Sequence, residues 1–545
     1  MARHRQPFKL PDLCTLADEL VRGDGPQPVQ RVLSAVDQAA ATAPPFGVRM
    51  LFAQSIVAPL LKQALGTTLT SIPQFAGRLK ENTDRRTYDV ACTDEGARLV
   101  IGSTSAGLQQ LREALDEDGG PGLVDPWARY ALPLDLAVVA RKSLPLLSVF
   151  LLHLSGGGAV LSITCLHALA DFETLQTFAS HFSAAYNALL CSAFPEAYAS
   201  AENGARAPDS TGKAEAAPAN GAPTTRVSAD GRAVITPGRV LLRTQPPPDR
   251  RSPVFDPARV EALAREELPP GVTRVDGLVV LSTWGWACII LRAIYEIFLR
   301  GGGLEARAFY LSPNVLAALK RRANAELVEE RAREGPGGVL AGVEWVSSND
   351  ALVARLMQLQ HAAPIRRPHP TTLLRVADMR PRMEPPLPSG LMGNVTALAV
   401  LEGVRPAELS LGRLAGLLRR DLQENVCPQF AQAVWDNQQW ATKGSGGPRS
   451  SLLETVVHPE PHRNLLAAEG PTLVTSQSAQ PQLWQFGPDL PLSLLPLGEV
   501  IPNTHVLFTC AKGGMALRMT LHRCVWKQLD DLFPPSQGGL VAMMA

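Results

Sequence analysis

The apolar residues of this chain follow two spacings, which predicts a mixture of helices and strands. In SIVAPLLKQALGTTL, beginning at Ser55, they recur every three or four residues, as on one face of a helix. LPLLSVFLLHL and AVLSITCL are short and almost continuously apolar, and the turn SGGG separates them, which predicts a hairpin that ends at His167. From Phe172 to Leu190 the apolar residues again share one face, so a helix follows the hairpin.

The second half of the chain has the same mixed character. VSSNDALVARLMQLQ is predicted to be a helix, with a Ser or Asn capping it just before Asp350. HVLFTC and MALRMTLH flank the turn AKGG and predict a second hairpin. Other strands are predicted at RVLLRT, ARAFYLS, TLLRVADMR and VTALAVLEG. Strands and helices in both halves predict an α/β (α+β) fold of two domains.

A change of composition divides the chain. From about residue 199 to 238 the sequence is rich in Ala, Pro, Gly, Ser and Thr, lacks aromatic residues, and reads as a flexible linker. Prolines extend this irregular region to about residue 250. We therefore predict an N-terminal domain at 1–198, a linker at 199–250 and a C-terminal domain at 251–545.

The C-terminal domain is predicted to carry a hydrophobic insertion near 278–300. Arg292 and Glu296 interrupt this stretch, and its uncharged run is shorter than the ~18–20 residues of a membrane-spanning helix. A buried helix is the favoured interpretation. Attachment to a membrane surface is the alternative.

Composition narrows the possible functions. Charged residues make up 19% of the chain and the formal net charge is +1. This charge balance does not indicate a nucleic-acid-binding protein. The eight cysteines form no CxxC pair, which argues against zinc-ribbon and redox motifs. The basic N-terminus lacks the apolar stretch of a secretory signal and the cysteines are scattered, so a cytoplasmic location is expected. A monomer is expected because one chain contains both predicted domains. His458 and His462 have metal-like spacing, but two prolines and the absence of a third ligand favour a loop.

HALAD is the first candidate for chemistry. It places His167 after an apolar strand and Asp171 four residues later. A neutral imidazole can take a proton from a hydroxyl or amine, which suits acyl transfer. HxxxD also arises easily by chance among ten histidines. A structural histidine followed by a helix-capping aspartate is therefore the competing interpretation.

HALAD is one of six segments that together carry a resemblance to a known family. They are, in order, PQFAGRLK (Pro73 to Lys80), HALAD, VSSNDALVA, ADMRPRMEPPLPSGLMGN (Ala377 to Asn394), TLVTSQ and WQFGPDL. With them the chain resembles the BAHD acyltransferases, which transfer acyl groups from CoA thioesters to alcohols and amines. The fourth segment is the most specific, because D-x-R-x-R, Pro-Pro-Leu-Pro and Gly-Asn all fall in the family's pattern.

The resemblance implies two domains like chloramphenicol acetyltransferase, each a mixed sheet flanked by helices, with a tunnel between them. His167 would lie in the tunnel and deprotonate the acceptor, without an acyl-enzyme. Asp171 would support the loop through a salt bridge with Arg380. Thr475 or Ser476 would stabilise the oxyanion or position the acceptor. Acyl-CoA would be a co-substrate, with a small alcohol or amine as acceptor and no permanently bound cofactor or metal.

Three positions depart from the family's pattern. Phe172 stands where Gly is usual, Gln477 replaces a Trp, and Gln485 replaces the Asp of a decayed DFGWG segment. The decayed DFGWG segment motivates one alternative, a non-catalytic regulatory partner in lipid or specialised metabolism. The hydrophobic segment near 278–300 motivates another, a membrane-surface acyltransferase for lipids or fatty alcohols. A peptide-synthetase condensation domain ranks last, because Leu166 stands where a second histidine is expected.

Overall fold

The computed structural model describes most of the chain. The described residues are 9–25, 30–33, 37, 45–82, 87–114, 133, 136–195, 224–227, 233–236, 253, 279–280, 291, 294–362, 370–424, 426, 456–457, 470–498, 502–509 and 513–533. The predicted strand RVLLRT, His458 and His462 lie outside these ranges.

The strands are short, as expected for a mixed fold. They are β1 (Cys14–Val21), β2 (Gln30–Val32), β3 (Phe46–Phe52), β4 (Arg78–Asn82), β5 (Thr87–Ala91), β6 (Ala97–Gly107), β7 (Leu147–Ser155), β8 (Ala159–Cys165), β9 (Thr224–Val227), β10 (Ala233–Thr236), β11 (Val279–Val280), β12 (Leu304–Leu311), β13 (Thr371–Asp378), β14 (Thr396–Val404), β15 (Val456–Val457), β16 (Thr472–Gln477), β17 (Ser493–Gly498), β18 (Thr504–Thr509) and β19 (Met515–His522).

The helices lie between these strands. They are α1 (Ala58–Ser71), α2 (Leu108–Ala114), α3 (Leu136–Arg141), α4 (Phe172–Ala193), α5 (Pro313–Glu334), α6 (Ser348–Ala362), α7 (Leu411–Glu424) and α8 (Arg523–Leu532). Short helical turns occur at Pro73–Ala76, His167–Leu169, Tyr295–Arg300, Arg380–Arg382, Pro406–Glu408 and Pro481–Trp484.

A six-stranded sheet, in the order β1-β6-β7-β8-β3-β17, organises the N-terminal half. The predicted hairpin is present as β7 and β8, and Gly156, Gly157 and Gly158 all have positive φ at its bend. Helices α1 and α4 pack together over this sheet. Leu175, Phe178, Phe182 and Tyr186 form the buried stripe of α4, as predicted.

A second six-stranded sheet, in the order β12-β19-β18-β16-β13-β14, organises the C-terminal half. The second predicted hairpin is present as the antiparallel pair β18 and β19. Helices α5, α6 and α7 contact one another and share a core with Leu373, Val474 and Leu517 of this sheet. Ser347 caps α6 and exchanges hydrogen bonds with Asp350, so the predicted cap is the serine.

One strand crosses between the halves. β17, from the predicted C-terminal domain, pairs antiparallel with β3 at the edge of the N-terminal sheet. Pro496 within β17 is compatible with this edge position, because proline cannot donate to a further strand. The boundaries at 198 and 251 remain a prediction, but the two sheets do not divide strictly along them.

The burial predicted for a helix near 278–300 is wrong where the structure describes this segment, because residues 294–300 are helical but largely exposed. Val279–Val280 pairs with Val456–Val457 as a strand. Glu296 is buried and forms an ion pair with Arg300. Large apolar side chains near this pair are exposed instead. They include Leu291, Ile294, Tyr295, Phe298 and Leu299. No helix in the described part of the chain is long and apolar enough to span a bilayer.

Candidate active site

His167 lies where the N-terminal sheet meets the second half of the chain. β8 ends at Cys165, and a helical turn begins at His167. The imidazole is partly exposed, and its ring centroid is 4.6 Å from that of Phe46. The end of β8 therefore leaves the His167 side chain partly accessible to solvent.

Asn394 holds the His167 ring from the opposite half. Its Oδ1 lies 3.1 Å from His167 Nδ1, and its Nδ2 donates to the His167 carbonyl oxygen over 2.8 Å. Since Nδ2 donates to a carbonyl, Oδ1 is the atom that faces Nδ1 and accepts from it. The hydrogen is thereby placed on Nδ1, and Nε2 of the neutral ring keeps the lone pair.

Asp171 and Arg380 form a buried ion pair. Arg380 Nη1 lies 2.7 Å from Asp171 Oδ2, and Arg380 Nη2 lies 3.1 Å from Oδ1. The carboxylate also accepts from the backbone N–H groups of Thr174, at the start of α4, and Val395. Asp171 is thus both the cap of α4 and a link between the His167 loop and the segment after Arg380.

The electrostatics of this pair favour the charged forms. Burial would raise the pKa of the Asp171 carboxyl, but the Arg380 guanidinium and the hydrogen bonds keep that pKa below its ordinary value. Burial would lower the pKa of Arg380, whereas Asp171 and Asp378 raise it. Both groups therefore stay ionised at neutral pH, and Asp171 takes no proton from the imidazole.

The segment from Leu391 to Asn394 is locked to the same pair. Arg380 donates to the carbonyl oxygens of Leu391 and Gly393. Thr174 Oγ1 donates to the Gly393 carbonyl and accepts from the Gly393 N–H. Gly393 has a φ of 121°, which side chains disfavour, so glycine permits the turn that presents Asn394 to His167.

The pKa of the His167 imidazole lies below its ordinary value of 6.5. Burial is the main cause, and it is opposed by hydrogen bonds and by the negative charges of Asp171 and Asp37. The ring is consequently neutral at pH 7, which is the form that accepts a proton.

Thr475 and Ser476 lie near the end of β16, and the structure distinguishes them. The Thr475 hydroxyl is buried and has no hydrogen-bond partner among the described residues. Ser476 is exposed, and its hydroxyl contacts Asn349 Oδ1 at 3.1 Å. Thr475 pairs with Val506, so it shares a face of the sheet with Phe508, two residues further on. On that face, the ring of Phe508 lies 5.3 Å from the ring of Phe172. Phe172 follows His167 by five residues, so Thr475 lies on the side of the sheet that faces the His167 loop.

The three departures from the family's pattern have different structural contexts. Phe172 is half-buried and stacks on Trp484 at 6.2 Å in addition to its contact with Phe508. Gln485 donates to the carbonyl oxygens of Gly487 and Pro488, so it stabilises its own loop. Gln477 ends β16 opposite Phe508.

Sequence reasoning undervalued two residues of this site. Asn394 belongs to a Gly-Asn pair, which is typical of turns and so does not by itself indicate a contact with His167. Asp37 was not considered, although it is 2% exposed and accepts from both the backbone and the side-chain amide of Asn394. Asp37 and Asn394 are 357 residues apart in sequence, and no local pattern links them.

Comparison with known proteins bears on the segment that carries His167. Residues 45–194 match the model of the Transferase family. Taxadien-5-alpha-ol O-acetyltransferase of Taxus chinensis is 33% identical over 114 residues, which are 21% of this chain. The matched region spans 24% of the length of that curated relative.

Solved structures match over nearly the whole chain. TRI101 of F. graminearum, complexed with coenzyme A and T-2 mycotoxin, has a TM-score of 0.61 at 14% identity, covering 92% of this chain and 97% of that one. TRI101 of F. sporotrichioides with the same ligands has a TM-score of 0.60 at 16% identity, covering 92% and 96%. Vinorine synthase has a TM-score of 0.50 at 17% identity, covering 95% and 96%.

The match of residues 45–194 to the Transferase family and the partial match to an O-acetyltransferase agree with the predicted resemblance to the BAHD acyltransferases. The predicted fold class, two mixed-sheet units like chloramphenicol acetyltransferase, is confirmed. At these identities the structural similarity establishes the fold alone. In the described residues, no group of three or more His, Cys, Asp or Glu side chains has the arrangement of a metal site.

Proposed function

We propose that this BAHD-type protein transfers an acyl group from an acyl-CoA thioester to a hydroxyl or amine of a small-molecule acceptor. The observation that carries the proposal is the His167 ring, which is partly exposed and held by Asn394 with the Nε2 lone pair available. The TRI101 structures, which contain coenzyme A, support the choice of donor by their shared fold.

The reaction proceeds by direct attack on the thioester. The acceptor oxygen or nitrogen forms a bond to the thioester carbonyl carbon while His167 Nε2 takes its proton. The tetrahedral intermediate then collapses, the carbon–sulfur bond breaks, and the imidazolium returns the proton to the departing thiolate. The products are the ester or amide and free CoA, and the imidazole is neutral again.

Thr475 is the better candidate for contacting the oxyanion or the acceptor. Its buried hydroxyl has a hydrogen to donate, whereas the Ser476 hydroxyl already contacts Asn349. A preorganised donor at the developing negative charge can contribute several kcal/mol to catalysis. We assign Ser476 to acceptor positioning at most.

Asp171 and Arg380 support the loop and do not take part in proton transfer. Both are nearly fully buried, and Asp171 uses both oxygens for Arg380 and backbone N–H groups. The ion pair fixes the spacing between the His167 turn and the segment that carries Asn394. This arrangement keeps the imidazole at a constant orientation.

The test is CoA release with acetyl-CoA and longer acyl-CoA donors against a panel of alcohols and amines. We expect turnover by the wild type and a loss of about 10²–10⁴-fold in His167→Ala. His153→Ala is the matched control, since His153 lies on the same sheet with a pKa that burial also lowers. Equal rates for wild type and His167→Ala would overturn the proposal. Turnover by neither, with equal cellular function of both, would favour a non-catalytic partner.

A second candidate, acylation of lipids or fatty alcohols at a membrane surface, is favoured by one observation. The turn at Tyr295–Arg300 exposes large apolar side chains, with Phe298 67% and Leu299 75% exposed. Liposome co-sedimentation of wild type and of Phe298→Ser/Leu299→Ser tests it. Sedimentation of the wild type alone would support this candidate, and no sedimentation of either would remove it.

We also propose that the protein acts as a cytoplasmic monomer. The support is that His167, Asp171, Arg380 and Asn394 come together within one chain. Light scattering after size exclusion would show a mass near the 58.4 kDa of the chain. A larger mass at micromolar concentration would contradict this.

A further inference from the structure

Asp37 forms hydrogen bonds with Asn394, the residue whose Oδ1 contacts His167 Nδ1. Asp37 Oδ1 accepts from the Asn394 backbone N–H over 2.8 Å and from Asn394 Nδ2 over 2.9 Å. Asp37 and Asn394 are 2% and 1% exposed, so these hydrogen bonds form away from solvent. The side chain of Asn394 is thus held between a buried carboxylate and the His167 turn.

These contacts fix which way round the Asn394 amide lies. The amide nitrogen donates to two groups, the Asp37 carboxylate and the His167 carbonyl, and neither of them has a hydrogen to donate. A flipped amide would place its oxygen against both acceptors. Only the observed orientation leaves Oδ1 facing Nδ1 of the imidazole.

We propose that Asp37 is a positioning residue that acts through Asn394 to keep the His167 hydrogen on Nδ1 and the lone pair on Nε2. This inference rests on the proposed function, because the tautomer matters only if Nε2 accepts the acceptor's proton. Asp37 itself does not contact the reacting atoms.

An ionised carboxylate is the group that this role requires. An asparagine at position 37 would keep the size but lose the charge and carry an N–H₂ group beside its oxygen, so it would hold Asn394 Nδ2 less strongly. A flip of the Asn394 amide, which the His167 carbonyl still opposes, would then cost less. The flipped amide presents its N–H₂ group to His167 Nδ1, which then favours the ring with its hydrogen on Nε2. In that form the imidazole cannot accept a proton at Nε2.

The charge of Asp37 also bears on the pH dependence. Among the described residues, the charged groups that act on the imidazole are Asp171, paired with Arg380, and Asp37. Both raise the pKa of His167 against the lowering effect of burial. Removal of the Asp37 charge therefore lowers this pKa and moves the acid limb of the activity profile to lower pH.

The first measurement is the ¹⁵N NMR spectrum of His167 in the full-length protein at neutral pH, for wild type and Asp37→Asn. We expect a protonated Nδ1 in the wild type and a mixture of tautomers, or mostly protonated Nε2, in the variant. Asp37→Glu keeps a carboxylate, which accepts hydrogen bonds and donates none. This variant should therefore keep the hydrogen on His167 Nδ1 more fully than Asp37→Asn does. An unchanged tautomer in Asp37→Asn would overturn the inference.

The second measurement is a double-mutant cycle on acyl transfer. We expect Asp37→Asn to lower kcat roughly 10- to 100-fold with KM changed less than about twofold. The same substitution in an Asn394→Ala background should have little further effect, because the path through Asn394 is already cut. Independent, multiplying effects of the two substitutions would overturn the inference.

Two controls keep the outcomes separable. Asp89→Asn alters another buried aspartate of the N-terminal half and should leave the tautomer and the pH profile of the folded protein unchanged. If Asp37→Asn fails to fold, Asp37→Ser replaces it in both measurements. If His167→Ala is fully active, the proposed function fails. If His167→Ala is inactive while Asp37→Asn resembles the wild type, only the inference about Asp37 fails.

Discussion

His167 and His505 lie in different environments, and only His167 is placed where it can act as a base. His167 is partly exposed between the two halves, whereas His505 is fully buried at the start of β18. His505 Nε2 contacts Gln360 Oε1 at 2.8 Å, and the same amide oxygen accepts from Thr472 over 3.3 Å. Both rings have a neutral amide beside them, and burial lowers the pKa of both.

The difference lies in the charges around each ring. Burial lowers the pKa of His505 to about 3, with a further lowering from His361. Around His167, the carboxylates Asp171 and Asp37 oppose the effect of burial. His505 is therefore a buried structural group, while His167 is partly exposed and has two carboxylates that oppose the lowering of its pKa by burial. Burial alone does not identify a catalytic histidine.

The largest effect should come from breaking the ion pair beside His167. Asp171→Ala leaves the Arg380 charge buried without its main partner, so we expect a loss of about 3–5 kcal/mol in the free energy of unfolding. Urea denaturation measures this loss, and CoA release should fall with it because the loop is no longer fixed.

A matched control exists in the C-terminal half. Arg375 and Asp421 form another buried ion pair, between β13 and α7. Asp421→Ala should cost a similar amount of stability yet retain most activity per folded molecule. If Asp171→Ala and Asp421→Ala lost the same fraction of activity, the link from Asp171 to the site would be contradicted.

Removal of the Thr475 hydroxyl should have the next largest effect, a decrease in kcat. Thr475→Val keeps the shape and removes the donor, so we expect kcat to fall up to roughly 10²–10³-fold. Ser476→Ala is the control, because that hydroxyl already contacts Asn349, and its kcat should change only a few-fold. A normal kcat in Thr475→Val would remove Thr475 from the mechanism.

His505 should make the free energy of unfolding depend on pH. Its pKa is lowered from 6.5 to about 3 in the folded protein, so the unfolded chain binds this proton first as the pH falls. Stability is then lost between about pH 6.5 and 3, at about 1.4 kcal/mol per pH unit for this group. In urea titrations at several pH values, His505→Gln should show a shallower loss over that window. An identical slope in both proteins would be inconsistent with this role.

Substitution of Phe172 should have the smallest effect on stability, and it should also change substrate specificity. Phe172→Gly removes a half-buried ring from Trp484 and Phe508, at a cost of about 1–2 kcal/mol. Because Phe172 directly follows Asp171, we also expect bulkier acceptors or acyl groups to become substrates. Phe182→Ala, in the core of α4, should cost about 3–5 kcal/mol without widening the substrate range. Unchanged specificity in Phe172→Gly would separate this ring from the site.

Periodic patterns in the sequence were sufficient for the regular elements. The β7–β8 hairpin, α4 and α6 follow directly from apolar spacing and turn residues. The segment near 278–300 shows the limit of such patterns. Its apolar stripe was predicted to face inward, but large apolar side chains there are exposed, while Glu296 is buried and pairs with Arg300. Spacing defines a face and does not show what that face contacts.

The site was predictable where residues belong to a motif. The Asp171–Arg380 pair followed from the resemblance, whereas Asp37 gave no local signal. Its role depends on a contact with Asn394 across the fold. β17 was missed for a similar reason, since SLLPLG contains a proline and is a strand only because β3 offers an edge.

The pH dependence of kcat/KM for acyl transfer tests most directly whether His167 is the base. A general base must be unprotonated, and burial lowers the pKa of His167, so activity should rise through an acid limb below pH 6.5 and then level off. His167→Ala should lose that limb together with about 10²–10⁴-fold in rate. The same rate and the same acid limb in His167→Ala as in the wild type would contradict the account.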